Sequence, residues 1–310
     1  MKQPSKTVVF FGSGPIAAQS LELLLKHTPI EAVITKPQPR RNTPAPVLAI
    51  AKQHNLPVRT PHNKQSLSTL FKQTSFSSKI GLVIDYGIII SKDVIDSFPL
   101  RIANSHFSLL PQWRGPDPLS FTILSGQSET GVSLMLIDEK MDEGPLLAQA
   151  PYTVPDHVYR PALAADLITI SDSLIEHILP AYVEGSIDPM PQEIATIASS
   201  AVPSYAHIIK KSDGGIDWSK PAERIEREIR AFIEWPKSYT KIADINVVIT
   251  AAEIVDQSGE PGEITTPGKN ELIIYCSKKA LKIIRLKPAG KREMPASAFL
   301  AGYNVPASNN

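Results

Sequence analysis

Apolar residues in the first half of the chain fall into two kinds of run that alternate. Residues 7–11 form a short β-branched and aromatic run that stops at Gly12-Ser13-Gly14-Pro15, after which Ile16, Leu21, Leu24 and Leu25 recur at helical spacing. The pattern predicts strand, tight turn and helix, with Pro15 at the first helical position, where its missing N–H costs nothing. Residues 30–35 predict a second strand, 47–54 a helix, 80–84 a third strand and 101–106 a fourth. Such alternation argues for an α/β fold built on a doubly wound, mostly parallel sheet. Residues 131–138 predict a further strand, and 159–183 a long helix with Asp and Glu away from its apolar side.

The pattern changes at residues 185–203, which are rich in Ser, Pro, Ala and Thr and read as a linker. Beyond it, residues 221–232 predict a helix. Residues 246–250, 271–276 and 281–286 then predict short strands separated by Gly and Pro, as in a small OB-like β-barrel. The expected organisation is a first domain over 1–184, a linker over 185–204 and a second domain over 205–310, and 310 residues are enough for two cores.

Composition excludes more than it selects. Hydrophobic residues make up 42% and charged residues 20%, ordinary values for a globular protein. The longest apolar stretch, 80–90, is broken by Asp85 and falls short of the roughly 20 residues a membrane helix needs. The N-terminal residues lack the apolar core of a signal peptide, so a cytoplasmic protein that does not use a membrane is expected. Cys276 is the sole cysteine, which excludes an intrachain disulfide. The seven histidines show no metal-ligand spacing, and neither a Gly-x-Ser-x-Gly elbow nor a P-loop is present; no metal is expected.

Net charge is +1, but it is unevenly spread. Residues 278–292 hold Lys278, Lys279, Lys282, Arg285, Lys287, Lys291 and Arg292 with no acidic residue among them. Such a run is either a solvated strand face or a surface turned towards a polyanion.

Gly12-Ser13-Gly14-Pro15-Ile16-Ala17 resembles a dinucleotide fingerprint. The acidic residue expected after the second strand is absent, since Thr35-Lys36 stands there, and Pro15 removes a backbone donor from the phosphate nest. The glycines read better as a tight turn that packs a helix on a sheet. More informative is Asn104-Ser105-His106-Phe107-Ser108-Leu109-Leu110-Pro111, at the end of a predicted strand. Side chains two apart share a face, so Asn104 and His106 meet at the carboxyl edge, where open α/β sheets hold ligands. A third partner is Asp142, on the acidic turn that follows the strand over 131–138. An amide that polarises a carbonyl, an imidazole that moves a proton and a carboxylate that tunes it make an acyl-transfer set.

Asn104-x-His106, Ser108-Leu109-Leu110-Pro111, Trp113-Arg114-Gly115, Glu129-Thr130-Gly131-Val132 and Met141-Asp142-x-Gly144 together resemble the active-site pattern of the folate-dependent formyltransferases. Ile216-Asp217-Trp218, Ile229-Arg230-Ala231-Phe232 and Trp235-Pro236 are similar to the same family, and the segment 286–294 is more like its members that act on methionyl-tRNA. The resemblance covers nearly the whole chain. It implies 10-formyltetrahydrofolate as co-substrate and initiator methionyl-tRNA as acceptor and partner. It also implies Asn104 as oxyanion donor, His106 as polarising and proton-transfer group, and Asp142 as the group that sets the charge of His106.

The co-substrate pocket implied by the family comprises Tyr86, Gly87, Ser108, Leu109, Leu110, Pro111, Met141 and Gly144, with a sharp cis turn at Leu110-Pro111. Arg40, Arg41, Lys287, Lys291 and Arg292 are the implied tRNA contacts. The chain departs from the pattern in a shortened loop over 36–44, in Phe107 where a small residue is common, and in Pro116-Asp117. Two rival readings remain: N-formylation of an amino-sugar nucleotide by the same three residues, and an RNA-binding relative without catalysis.

Overall fold

The computed structural model describes residues 7–38, 45–194, 202–268 and 270–305. They form two compact units. The first comprises Met1–Pro118, Glu129–Thr153 and Ala164–Ala206, and the second comprises Leu119–Ser128, Val154–Leu163 and His207–Asn310. No described helix is long and apolar enough to cross a membrane.

The first unit is built on a seven-stranded sheet. In chain order its elements are β1 (Val8–Phe11), α1 (Pro15–Leu24), β2 (Ile30–Ile34), α2 (Pro46–Gln53), β3 (Val58–Arg59), α3 (Lys64–Gln73), β4 (Ile80–Val83), α4 (Lys92–Ile95) and β5 (Ile102–His106). After α5 (Pro118–Ser125), which beyond Pro118 belongs to the second unit, follow β6 (Glu129–Leu136), β7 (Leu146–Thr153) and the long α6 (Arg160–Val183), whose first four residues also belong to the second unit. The strand order is β3-β2-β1-β4-β5-β6-β7. The first five strands in that order run parallel, and β6 and β7 are antiparallel additions. All four residues of β1 are buried, as expected of a central parallel strand covered on both faces. Pro15 opens α1 as its sequence position predicts.

At the carboxyl edge, Gly12 lets α1 approach the sheet. A Cβ there would stand 2.6 Å from Cβ of Ala17 and 2.9 Å from the carbonyl oxygen of Ile84. Gly14, at the N-cap of α1, lies so close to the Asp85 carboxylate that a Cβ would collide with it. An acidic group therefore stands where a bound pyrophosphate would need to sit, which disfavours the dinucleotide reading of the glycines. Phe11, Phe71, Phe98 and Tyr86 pack as an aromatic cluster under this edge, with ring centroids of Phe11 and Tyr86 5.7 Å apart.

The second unit holds α7 (Ala222–Ala231), β8 (Ser238–Ile242), β9 (Ile245–Val255), β10 (Ile264–Thr265), β11 (Ile273–Tyr275), β12 (Ala280–Pro288), β13 (Met294–Pro295) and α8 (Ala296–Gly302). Its antiparallel sheet has the order β10-β11-β12-β9-β8, with β13 on β12. The expected small barrel has the form of a half-barrel. The pairing of β12 with β9 shifts register around Arg285, the kind of bulge that bends a sheet. Ala222, Ile225 and Ile229 of α7 and Phe299 of α8 pack with Ile249, Leu281, Ile283 and Leu286 to form its core. Three arginines of α7 bind carbonyls of the earlier segments of this unit: Arg224 that of Leu124, Arg227 that of Ser125 and Arg230 that of Val158.

Candidate active site

The site forms where β5 ends. Asn104 and His106 alternate with the buried Ser105, which bonds Ser171 behind the strand at 2.6 Å. Asn104 lies opposite Met135 of β6 and His106 opposite Ser133. His106 is buried, whereas Asn104 is partly open and its side-chain amide has no hydrogen-bond partner among the described residues. An open amide beside a buried imidazole is an unusual use of a sheet edge, because polar side chains in such places are normally paired.

After His106 the chain turns sharply through a cis Leu110–Pro111 bond. Ser133 holds this turn: its Oγ accepts the Leu110 N–H at 2.9 Å and donates to the Ser108 carbonyl at 2.6 Å. Gln149 of β7 donates to the Leu110 carbonyl at 2.9 Å. Ser108 Oγ in turn donates to the Gln112 carbonyl. Gly131 is required beneath the turn, since a Cβ there would meet Cδ2 of Leu109 at 2.6 Å and collide with the Ala150 carbonyl.

The imidazole is fixed on both sides. Nε2 of His106 lies 2.9 Å from the Trp113 carbonyl oxygen, which can only accept, so Nε2 carries the proton of that bond. Nδ1 faces the Asp142 carboxylate, with Oδ2 at 3.8 Å. The same Oδ2 accepts the Gly115 N–H at 2.7 Å. Asp142 has φ 54°, Trp113 has φ 54° and Gly115 has φ 116°, so both turns that frame the histidine use left-handed backbone. Gly144 completes the Asp142 turn against β6, because a Cβ there would collide with the Leu136 carbonyl.

Asn104 and His106 thus stand on one strand, and Asp142 meets His106. Ser108, Leu110 and Pro111 are buried in the turn beside them, with Leu109 half-buried. Gly144 closes the Asp142 loop, from which Met141 projects into solvent. Tyr86 and Gly87 follow β4, the strand next to β5. Among the described residues the buried Tyr86 hydroxyl has no partner, and burial pushes its pKa up, while Gly87 lies beside the Lys36 ammonium. Arg40 and Arg41 lie outside the described residues.

In the second unit Lys287, Lys291 and Arg292 are exposed and make no ion pair among the described residues. The rest of the basic run is largely occupied: Lys279 pairs with Glu223, Lys282 with Glu271 and Arg285 with Glu293. Among the described residues no three His, Cys, Asp or Glu side chains gather as metal ligands would.

Sequence reasoning passes over Ser133, Gln149 and Gln192. The first two carry a faint signal, being polar positions in otherwise apolar strands that face the motif-bearing turn. Gln192 carries none, and it is the most buried of the described residues of the Ser- and Pro-rich stretch, at 1% exposure.

A family model described as formyl transferase matches residues 6–164, and one described as formyl transferase, C-terminal domain, matches residues 208–304. Fold, site and these matches define a formyl-transferring enzyme. The methionyl-tRNA formyltransferase of Chloroflexus aurantiacus is 36% identical over 308 residues, covering 96% of this chain and 97% of its own. That of Myxococcus xanthus is 32% identical over 303 residues, covering 96% and 95%. The chain belongs to the methionyl-tRNA formyltransferase family. Among solved structures, the N-formyltransferase from Helicobacter canadensis, in complex with folinic acid and dTDP-3-aminofucose, has a TM-score of 0.65. It is 19% identical and covers 90% of this chain and 98% of its own, a likeness of fold.

Proposed function

We propose that this protein transfers the formyl group of 10-formyltetrahydrofolate to the α-amine of initiator methionyl-tRNA in the cytoplasm, with no metal. The observation that carries the reading is the meeting of Asn104, His106 and Asp142 at one sheet edge. The chain that presents them is similar over 96% of its length to a protein named methionyl-tRNA formyltransferase.

The amine nitrogen attacks the formyl carbon, and the carbonyl electrons move onto the oxygen. Asn104, whose amide is not spent on the fold, donates to that oxyanion, and His106 next to it adds a positive field once it has taken up the proton of the amine. A preorganised donor of this kind is typically worth about 100- to 1000-fold in rate. Because Nε2 is held by Trp113, Nδ1 is the nitrogen that accepts the proton lost by the amine. The Asp142 carboxylate stabilises the imidazolium so formed. Collapse of the tetrahedral intermediate breaks the bond to N10 of the folate, which takes up a proton and leaves as tetrahydrofolate.

The folate is assigned to the pocket of Tyr86, Gly87, the turn Ser108-Leu109-Leu110-Pro111, Met141 and Gly144. The unpaired Tyr86 hydroxyl supports this, since a buried hydroxyl without a partner favours a ligand atom that bonds it. We assign catalysis to residues 1–184, a connecting role to 185–204 and tRNA binding to 205–310. Lys287, Lys291 and Arg292 hold phosphates there, and Arg40 and Arg41 act near the acceptor end.

The test is to incubate the purified protein with 10-formyltetrahydrofolate and either methionyl initiator tRNA or a dTDP-amino sugar. Formylmethionyl-tRNA is the expected product. A formylated sugar with unmodified tRNA would overturn the acceptor assignment.

A further inference from the structure

Gln192 lies within the stretch that composition marks as a linker, yet it is buried beside the active site and all of its polar atoms are engaged. Its Oε1 accepts from Arg114, from Nη2 at 2.8 Å and from Nε at 3.3 Å. Its Nε2 donates to the carbonyls of Asp142 and Gly144, both at 2.8 Å. This amide has one possible orientation. A guanidinium only donates and a carbonyl only accepts, so the flipped amide would set donor against donor and acceptor against acceptor.

The contacts close a ring. Asp142 Oδ2 binds the N–H of Gly115, the Arg114 side chain binds Gln192, and Gln192 binds the Asp142 carbonyl. Arg114 also reaches the Glu143 carboxylate at 3.4 Å. Asp142 stands at φ 54°, a conformation that residues other than glycine seldom adopt without surroundings that hold it. Gln192 grips the carbonyls one residue apart on either side of Glu143, and so fixes the turn from which the Asp142 carboxylate projects.

We propose that Gln192, aligned by Arg114, is a positioning residue for formyl transfer that holds the Asp142 carboxylate at its working distance from His106. The proposal rests on the reading of Asp142 as the group that stabilises charge on His106.

Gln192→Glu tests it, since it keeps the acceptor for Arg114 and the size of the side chain but turns an oxygen towards the two carbonyls. The turnover number with methionyl-tRNA should fall roughly 10- to 100-fold, the cost of a small misplacement in a site. KM for both substrates should stay within about threefold. In an Asp142→Asn background the same change should cost less than about twofold, because residues acting through one group are not additive. Parental turnover of Gln192→Glu, a raised KM with unchanged turnover, or a loss that multiplies fully in the double variant would overturn the proposal. If Asp142→Asn alone keeps the parental rate, the reading of Asp142 fails and takes this proposal with it. If Asp142→Asn is impaired and Gln192→Glu is not, only the role of Gln192 fails. Should Gln192→Glu not fold, Arg114→Lys, which removes the fork that aligns the amide, carries the same expectations and the same grounds for rejection.

Discussion

Oδ2 of Asp142 faces Nδ1 of His106 at 3.8 Å and accepts the Gly115 N–H at 2.7 Å, so one carboxylate oxygen both views the imidazole and ties down the turn beside it. The other ring nitrogen is held by the Trp113 carbonyl. The end of β5, the turn over 113–115 that follows it and the more distant loop after β6 are thereby joined around one histidine.

That relationship makes a direct prediction for Asp142→Asn. The substitution keeps the size and the ability to accept from Gly115 but removes the negative charge that stabilises an imidazolium. Turnover should fall at every pH from about 6 to 8. An unchanged rate across that range, measured with saturating 10-formyltetrahydrofolate and methionyl-tRNA, would assign the loop to binding alone.

The basic run of the second unit separates into occupied and unoccupied charges. Lys287→Ala or Arg292→Ala should weaken tRNA binding and reduce the magnitude of the salt slope by about one unit, because each removes one charge free to bind a phosphate. Lys282→Ala, whose ammonium is already paired with Glu271, should leave the slope unchanged. Binding titrations at several salt concentrations check this. Equal slopes for all three variants and the parent would make the run an ordinary solvated face.

Glu31 of β2 supplies a pH-dependent brace. Burial pushes its carboxyl upward, but the N–H groups of Ser77 and Ser78, each at 2.7 Å, and the Ser78 hydroxyl outweigh this and leave its pKa below the ordinary value. A lowered carboxyl contributes its full stability above the unfolded pKa of about 4.3 and loses it as pH falls through the folded value. Glu31→Gln should therefore cost about 1 to 2 kcal/mol near neutral pH. The gap from the parent should close as the medium is taken below the folded pKa. Urea unfolding at pH 7 and at pH 3.5 reads it, and an equal gap at both would refute the assignment.

Much of the fold was legible because burial leaves period and composition in the chain. The four apolar residues of β1, the turn at Gly12 to Pro15 and the alternation in β5 all carry it. The helix α3 was not legible: Leu67, Leu70 and Phe71 are its only apolar residues, and its start rests on a capping box between Asn63 and Ser66 rather than on an apolar stripe. Strand β7 was hidden by Pro151, which an edge strand tolerates. Asn104 and His106 could be placed together from spacing two on a strand. Gln192 could not, since its partners Arg114, Asp142 and Gly144 lie about 50 or more residues away and no local pattern connects them. The pairing of Lys279, Lys282 and Arg285 with distant or neighbouring glutamates was equally invisible in a count of charges.

The central claim, that Asn104 and His106 act directly on the formyl group passed to methionyl-tRNA, is tested most directly by single-turnover transfer from labelled 10-formyltetrahydrofolate in the parent and in Asn104→Ala. The Asn104 side chain makes no hydrogen bond among the described residues, so its removal should leave the melting temperature and both substrate affinities near parental values. The transfer step should slow by roughly 100-fold or more. Transfer at the parental rate, with donor and acceptor bound as before, would contradict the account.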